Sequence, residues 1–582
     1  MIKGVTPHAS ASSHPCGHFA STAAATPANP DAVPVPVQSA ALARPSHPAL
    51  EAHDATWTAR ELADDAAKLA ATLQAEANVQ PGDVVALLGP PCSEWVLALH
   101  ALGWLGATVA PLPREATNAE RAQALQALHA VEPVKLALLV GDTSNNDDEF
   151  LRKYVSVTQH TRALRQGAQG YEPLPERFWP LPERRALLLT SGTTAAPRAV
   201  AITTAQLLFN TFGTASRVGH LPSDRWLCVL PLNHIGGLAI LYRCAWLGIT
   251  VRLPARFDAH EVAQDLDSGD VALISLVPTM LERVLDARRE RDGTQADAPL
   301  PKSLRAILLG GARTPQPLRK RCRDMAAPVA LTWGMSETAS QVATRYPGDL
   351  DEAPPGAPPL PFVRITTATE ASVGRASLPA RHAAANPSAN AEHKPTNELS
   401  PINVSGPQAP GGNFKTNDVG YITEHGRVHV TGRRDDIIIS GGKNIAPEEI
   451  EESLRQHPAI KEAVVVGIPD RHWGEAVVAV LVPPYGADAL RSGGDAAADL
   501  EAGGGSGGHG GPPYGELRVF VRSRLAGYKV PRWFVYWPGG ASTLPRTGIG
   551  KVRRSAVRAQ LLADPAAFGL PAFEVGEHAE PP

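Results

Sequence analysis

The chain has 582 residues, too many for one hydrophobic core, so at least two domains are expected. Hydrophobic residues make up 43% and the formal net charge is −3, which removes electrostatic attraction as a basis for binding nucleic acid or an anionic membrane and leaves small molecules as the expected partners. Five cysteines, Cys16, Cys92, Cys228, Cys244 and Cys322, contain no CxxC pair, which argues against a disulfide framework or a structural zinc and for a reducing compartment.

Residues 1–38 are rich in Ala, Pro, Ser and Thr, lack apolar periodicity and read as a disordered tail. With no basic segment ahead of an apolar core, the tail is no secretory signal. It is free of acids before Asp31, a faint resemblance to a transit peptide, yet its first arginine is Arg44; the cytoplasm is expected, with a plastid or other organelle as the alternative. His8, His14, Cys16 and His18 fit chance histidines in a flexible tail better than a metal site. Two further low-complexity stretches, roughly 366–400 and 487–515, read as insertions.

Globular sequence begins near Ser39. Thr58 followed by Glu61 forms a capping-box pattern, and Leu62, Ala66, Leu69 and Leu73 share one helix face. Pro81 to Pro90 gives a turn and a strand, Ser93 to Ala107 a helix whose Gly103 and Gly106 suit close helix contact, and Val109 to Leu112 another strand. The longest apolar run, Val96 to Leu112, is broken by His100 and falls short of a membrane span. Alternating strand and helix predict a parallel sheet covered by helices.

Leu187–Leu189 is a short buried strand that runs into Thr190, Ser191, Gly192, Thr193 and Thr194, with Arg198 beyond. Hydroxyl donors, a glycine that lets backbone N–H groups approach and a fixed cation suit phosphate; the same run would also serve as an ordinary polar turn. A helix is expected over Thr204 to Phe212. A strand follows over Trp226 to Leu230 and stops at Pro231, His234 stands at its exit, and Gly236–Gly237 opens a helix carrying Arg243. Strands over Val271 to Val277 and Leu304 to Leu309 lead to Gly310, Gly311 and Ala312. Ala330–Thr332 then runs into Trp333, Gly334, Met335, Ser336 and Glu337, an aromatic face for a base, a hydroxyl for phosphate and a carboxylate for Mg²⁺, or else a polar loop with a helix cap.

The segment Phe414 to Glu452 reads as a β-meander, with strands at Tyr421–Ile422, Val428–Thr431 and Ile437–Ser440. A helix follows with Pro447 in its first turn and Glu448, Glu449, Glu451 and Glu452 near its positive end. Later come the strand Glu462–Gly467, a run at Trp473 to Pro484, and Leu544 to Val557 with Lys551 between Gly550 and Val552.

TSGTTAAPRAV, GGA, WGMSETASQ and LPRTGIGK, in this order and spacing, resemble the adenylate-forming superfamily of acyl-CoA synthetases, luciferases and peptide-synthetase adenylation domains, over about Ser39 to Gln560. The resemblance implies an α/β fold: a large N-terminal domain, 39–434, of two α/β sheet subdomains plus a small β-barrel, then a small mobile α+β C-terminal domain, 435–565, and a tail, 566–582. It implies an AMP-forming acid–thiol ligase using ATP, Mg²⁺ and coenzyme A. Thr190 to Thr194, Arg198, Gly310 to Ala312, Trp333, Gly334 and Ser336 would bind ATP, with Asp418 and Arg433 on the ribose and phosphate. Glu337 would hold the metal, Asp435 would be the hinge, Gly441 and Gly442 would line the CoA tunnel, and Lys551 would be catalytic. This chain departs from the pattern at Ala195, Arg198 and Ala199, where the family has Gly, Lys and Gly, and at Asn417 beside Asp418; the first three bear on rate, and loss of turnover is the reading they favour if the loop fails.

The stretches around His234 and Arg243 are most similar to the o-succinylbenzoate:CoA ligase group of menaquinone and phylloquinone synthesis, in which an arginine matching Arg243 helps recognise the second carboxylate and His234 would serve acid and catalysis. Asn233 stands where that group has phenylalanine. About thirty residues follow Lys551, without a carrier-protein domain, so free CoA is the expected acceptor. A general aryl or medium-chain acyl-CoA ligase is the alternative, with Arg243 a structural partner. The expected partners are a small carboxylic acid and CoA, with no nucleic acid, no integral membrane segment and a homodimer as one possible assembly.

Overall fold

Two parallel-cored sheets share one apolar interior. The computed structural model describes residues 31–142, 145–155, 158–161, 172, 174–191, 197–293, 297–351, 353, 355–367, 400–483, 513–538, 543–546 and 552–571. The first sheet has six strands, and its centre, Thr108–Pro111, Val84–Leu88 and Val134–Leu139, is parallel as expected. Its other edge is a correction: Arg184–Ser191 pairs antiparallel with Pro197–Thr203, a strand that the sequence reading passed over as loop. The second sheet has eight strands; Pro48–Ala52, Thr250–Leu253, Arg225–Leu227, Leu273–Leu276, Ala306–Leu309 and Val329–Met335 run parallel, with Ser340–Thr344 antiparallel at one edge. The expected strand over Trp226 to Leu230 is shorter, ending at Leu227.

Between the sheets lie Ala59–Ala77, Ser93–Leu105 and Ile235–Leu247, whose Leu, Ala and Trp side chains join both sheets in one core. The Ala59 helix has its capping box, with Thr58 Oγ1 accepting from Glu61 N and the Glu61 carboxylate accepting from Thr58 N at 2.8 Å. Gly103 and Gly106 do not serve helix contact. A Cβ on Gly103 would lie 2.7 Å from Trp179 Cζ2, and one on Gly106 would meet the Arg177 guanidinium, so both make room for the segment that enters Phe178–Pro180.

Arg364–Thr367, Ser400–Ser405, Asn413–Ile422 and Val428–Arg433 form a four-stranded antiparallel sheet. A five-stranded sheet follows, built from Ile438–Ser440, Lys443–Ile445, Glu462–Asp470, Gly474–Val482 and Trp533–Tyr536, with the helices Pro447–Arg455, Tyr514–Arg522 and Arg554–Ala563. This is the large N-terminal and smaller C-terminal pair that the sequence led us to expect. Ordered structure reaches into both expected tails. Ala32–Pro34 pairs with Phe178–Pro180, the helix Pro36–Ala43 is largely buried, and Leu570 is buried in the small domain's core. Residues 1–30, most of both insertions and the end of the chain lie outside the described residues. Among the described residues no helix is long and apolar enough to cross a membrane.

Candidate active site

The strand ends of the second sheet carry one part of the expected site. Ala306–Leu309 delivers Gly310, where a Cβ would lie 2.2 Å from Thr332 Oγ1, so this crossing needs a bare Cα. Val329–Met335 delivers Trp333 and Gly334. The register shifts between those two residues, and a Cβ on Gly334 would lie 2.1 Å from Ser340 O; the bulge presses the strand against its neighbour and turns the chain into Ser336–Thr338.

Trp333 Nε1 donates to Asp418 Oδ2 at 2.7 Å. Asp418 is cross-strand from Arg433, whose Nε lies 3.6 Å from its Oδ1. Three residues named from distant motifs therefore meet in one place, with the carboxylate anchored by an indole N–H and a guanidinium. Next to it, Asn417 Nδ2 donates to Asp435 Oδ2 at 2.6 Å, so the unusual Asn417 contacts the expected hinge.

Glu337 is held by its backbone: its carbonyl accepts from Gln206 Nε2 at 2.7 Å, which ties it to the helix Thr204–Val218. Its carboxylate makes no hydrogen bond or ion pair among the described residues, so one hard oxygen donor stands available. That fits Mg²⁺, which usually takes one or two carboxylates and fills its octahedron with water and phosphate oxygens.

Arg243 sits on Ile235–Leu247 and is 2% exposed. Its Nε and Nη2 donate to Asn210 Oδ1 at 3.2 and 2.5 Å, Nη2 donates to Gln341 Oε1 at 2.9 Å, and the guanidinium lies 5.6 Å from the Trp226 ring centroid. Burial pushes its pKa down to about 10, which leaves it charged at neutral pH. Among the described residues it has no carboxylate partner, so the charge is held by neutral amides and an indole face. Those amides belong to a buried layer: Asn210 Nδ2 donates to Gln341 O and Gln408 Oε1, and Gln341 Nε2 donates to Thr214 Oγ1. Gln206, Asn210, Gln341 and Gln408 escaped the sequence reading. Only the polar positions Gln206, Asn210 and Thr214, each one helical turn from the next, could have drawn notice.

His234 is the N-cap of the same helix, with no side-chain capping bond, and burial lowers its pKa, so its ring is neutral at pH 7. Thr190 Oγ1 donates to Arg198 O at 3.2 Å across the hairpin that carries the phosphate-type loop, and the Arg198 side chain is exposed. Gly192, Thr193, Thr194 and Ala195 lie outside the described residues, as does the Ser191 side chain.

Lys551 also lies outside them, but the chain on its C-terminal side is placed. Arg546 and Val552 form a β-bridge, Arg553 Nη2 lies 3.9 Å from Glu120 Oε1, and the Glu120 helix, Asn118–His129, packs on Pro197–Thr203. Arg553, two residues after Lys551, thus reaches the helix that packs on the strand leaving the phosphate-type loop. Arg554 is half-buried and grips Asp436, Glu448 and Glu451 at 2.6, 3.2 and 2.8 Å, which ties the chain after Lys551 to the residue after the hinge. Gly441 and Gly442 make the turn between the paired strands Ile438–Ser440 and Lys443–Ile445. Both have positive φ, Gly441 N donates to Trp473 O at 2.8 Å, and a Cβ there would meet the Trp473 ring at 2.6 Å. Among the described residues no hydrogen bond or ion pair joins them to Trp333 or Asp418.

A large domain of two α/β sheets with glycine-bearing loops at its strand ends, followed by a small α+β domain, is the architecture of adenylate-forming enzymes. The chain belongs to the AMP-binding enzyme family, whose model matches residues 37–372, and the AMP-binding enzyme C-terminal domain matches residues 449–502. The 2-succinylbenzoate–CoA ligase of Bacillus subtilis (strain 168) is 31% identical over 516 residues, covering 88% of this chain and 95% of that protein. The 2-succinylbenzoate–CoA ligase of Geobacillus kaustophilus is 32% identical over 526 residues, covering 86% and 93%. Among solved structures, o-succinylbenzoate CoA synthetase from Bacillus subtilis in complex with the acyl-adenylate intermediate OSB-AMP superposes with a TM-score of 0.71 at 29% identity, covering 90% of this chain and 98% of that one. Its complex with ATP and magnesium ion gives the same TM-score and identity.

Proposed function

We propose that the chain is an AMP-forming acid:CoA ligase acting on o-succinylbenzoate, a cytoplasmic step of quinone biosynthesis. A carboxylate oxygen of the acid attacks the α-phosphorus of ATP and pyrophosphate leaves; the CoA thiol, losing its proton, then attacks the acyl carbon and AMP leaves. Trp333, Asp418 and Arg433 hold the nucleoside, Asp418 accepting from the ribose hydroxyls. Lys551 carries positive charge to the substrate carboxylate and the α-phosphate as charge builds there. Glu337 would hold Mg²⁺, which neutralises charge on the phosphate oxygens when bound.

The observation that carries the choice of acid is Arg243, a buried guanidinium surrounded by neutral acceptors. Leaving such a charge without a counter-ion is costly, and a substrate with a second carboxylate supplies one. A second reading, a ligase for aryl or medium-chain monocarboxylic acids, is favoured by the same residue's three bonds to Asn210 and Gln341, which would make it a packing hub. Pyrophosphate release by the purified protein with ATP, Mg²⁺ and CoA separates the two. Preference for o-succinylbenzoate over benzoate and octanoate, abolished by Lys551→Ala, supports the proposal; faster turnover of a monocarboxylic acid refutes the choice of acid.

A further inference from the structure

The helix Gln316–Asp324 of the large domain begins at Pro315, which offers no capping side chain. Its first N–H is satisfied from the other domain: Gln316 N donates to Glu452 Oε1 at 2.8 Å. Glu452 lies on Pro447–Arg455 and is 8% exposed. Its second oxygen, Oε2, is buried without a hydrogen bond and stands 3.9 Å from Arg313 Nε and 3.8 Å from Arg455 Nη1. Arg313 directly follows Gly310, Gly311 and Ala312. A carboxylate of the small domain thus caps a large-domain helix beside the loop assigned to the nucleotide.

Neighbouring acids of the same small-domain helix, Glu448 and Glu451, hold Arg554, three residues after Lys551. One nine-residue helix therefore reads the Gly310–Arg313 loop with Glu452 and steadies the Lys551 segment with its neighbours. We infer that Glu452 is a positioning residue for acyl-adenylate formation: by capping Gln316 and facing Arg313 it clamps the small domain in the pose that brings Lys551 to the nucleotide. Turning the small domain about Asp435 so that Gly441–Gly442 reach the site for the CoA step would break this cap. The inference rests on the reading of the chain as a two-step ligase.

The test measures the half-reactions separately in the full chain. Acid-dependent ATP–pyrophosphate exchange reports the first step, and single-turnover addition of CoA to preformed enzyme-bound acyl-adenylate reports the second. Loss of a charged cap lowers the docked population on the order of tenfold. Glu452→Ala should slow exchange by about that factor with the CoA step unchanged. Glu452→Gln, which keeps an oxygen for Gln316 N, should slow it only a few-fold. An equal fall in both steps, or unchanged exchange, overturns the inference. If the wild type shows no exchange with any acid, the ligase reading fails, and spin labels on Ser268→Cys and Ser523→Cys decide the clamp on its own. A Glu452→Ala loss of the docked distance upholds it, and an unchanged distribution overturns it.

Discussion

Replacing Arg243 by methionine should separate substrate recognition from stability. The substitution removes a guanidinium that is already desolvated, so the cost of burying that charge disappears from the folded state. Against this, Asn210 Oδ1 loses its donor, at about 1–3 kcal/mol for an unsatisfied buried acceptor, while Gln341 Oε1 keeps the Ser340 hydroxyl at 2.6 Å. The two terms oppose each other, and stability should change by less than about 2 kcal/mol. For the substrate nothing compensates. A second carboxylate entering a site without its cation should lose about 3–5 kcal/mol, a fall of roughly 150-fold to 5,000-fold in kcat/KM. The assay compares o-succinylbenzoate with 3-benzoylpropionate, which lacks the ring carboxylate, in wild type and Arg243→Met, with urea unfolding as control. The wild-type preference should collapse while the monocarboxylate rate changes little. An equal loss on both acids, or unfolding of the variant, would refute the reasoning and make Arg243 a packing hub.

Three other outcomes follow from particular contacts. His100 is buried and its pKa is pushed down to about 4 by desolvation, against 6.5 when exposed. The neutral ring is favoured in the folded state, so this contribution is complete above pH 6.5 and is lost as pH falls towards 4. Between pH 7.5 and 5.0 wild type should lose about 2 kcal/mol more than His100→Leu in urea titrations, and parallel pH profiles would contradict this. Gly310→Ala places a Cβ 2.2 Å from Thr332 Oγ1 and should cost about 1–3 kcal/mol with weakened ATP binding; Thr332→Ala in the same chain should restore at least half, as read by thermal shift with and without ATP. Trp333→Phe removes the N–H donated to Asp418 and should raise the KM for ATP roughly tenfold, with the maximal rate less affected.

Much of this arrangement was legible in the sequence because glycine and apolar runs mark where strands end. The strands before Gly310 and Trp333 and the helix after His234 announced themselves in that way; the meander was legible only from Tyr421 to Thr431, and the longer strands Asn413–Ile422 and Val428–Arg433 are what make Asp418 and Arg433 cross-strand partners. Other features left no local mark. Pro197–Thr203 is a seven-residue edge strand that alternates only loosely, and its pairing with Arg184–Ser191 comes from tertiary contact. The amide layer around Arg243 draws on residues from 206 to 408, a separation that no periodicity spans. The acids of Pro447–Arg455 looked like a group favoured by the helix dipole. In the structure they serve separate partners: Glu448 and Glu451 take Arg554, Glu449 takes Lys529, and Glu452 reaches the other domain.

Identifying the product tests the account most directly. Purified protein incubated with ATP, Mg²⁺ and o-succinylbenzoate without CoA should accumulate an enzyme-bound o-succinylbenzoyl-adenylate detectable by mass spectrometry, and added CoA should convert it to the thioester with release of AMP. Release of ADP in place of AMP, or an adenylate formed only with monocarboxylic acids, would contradict it.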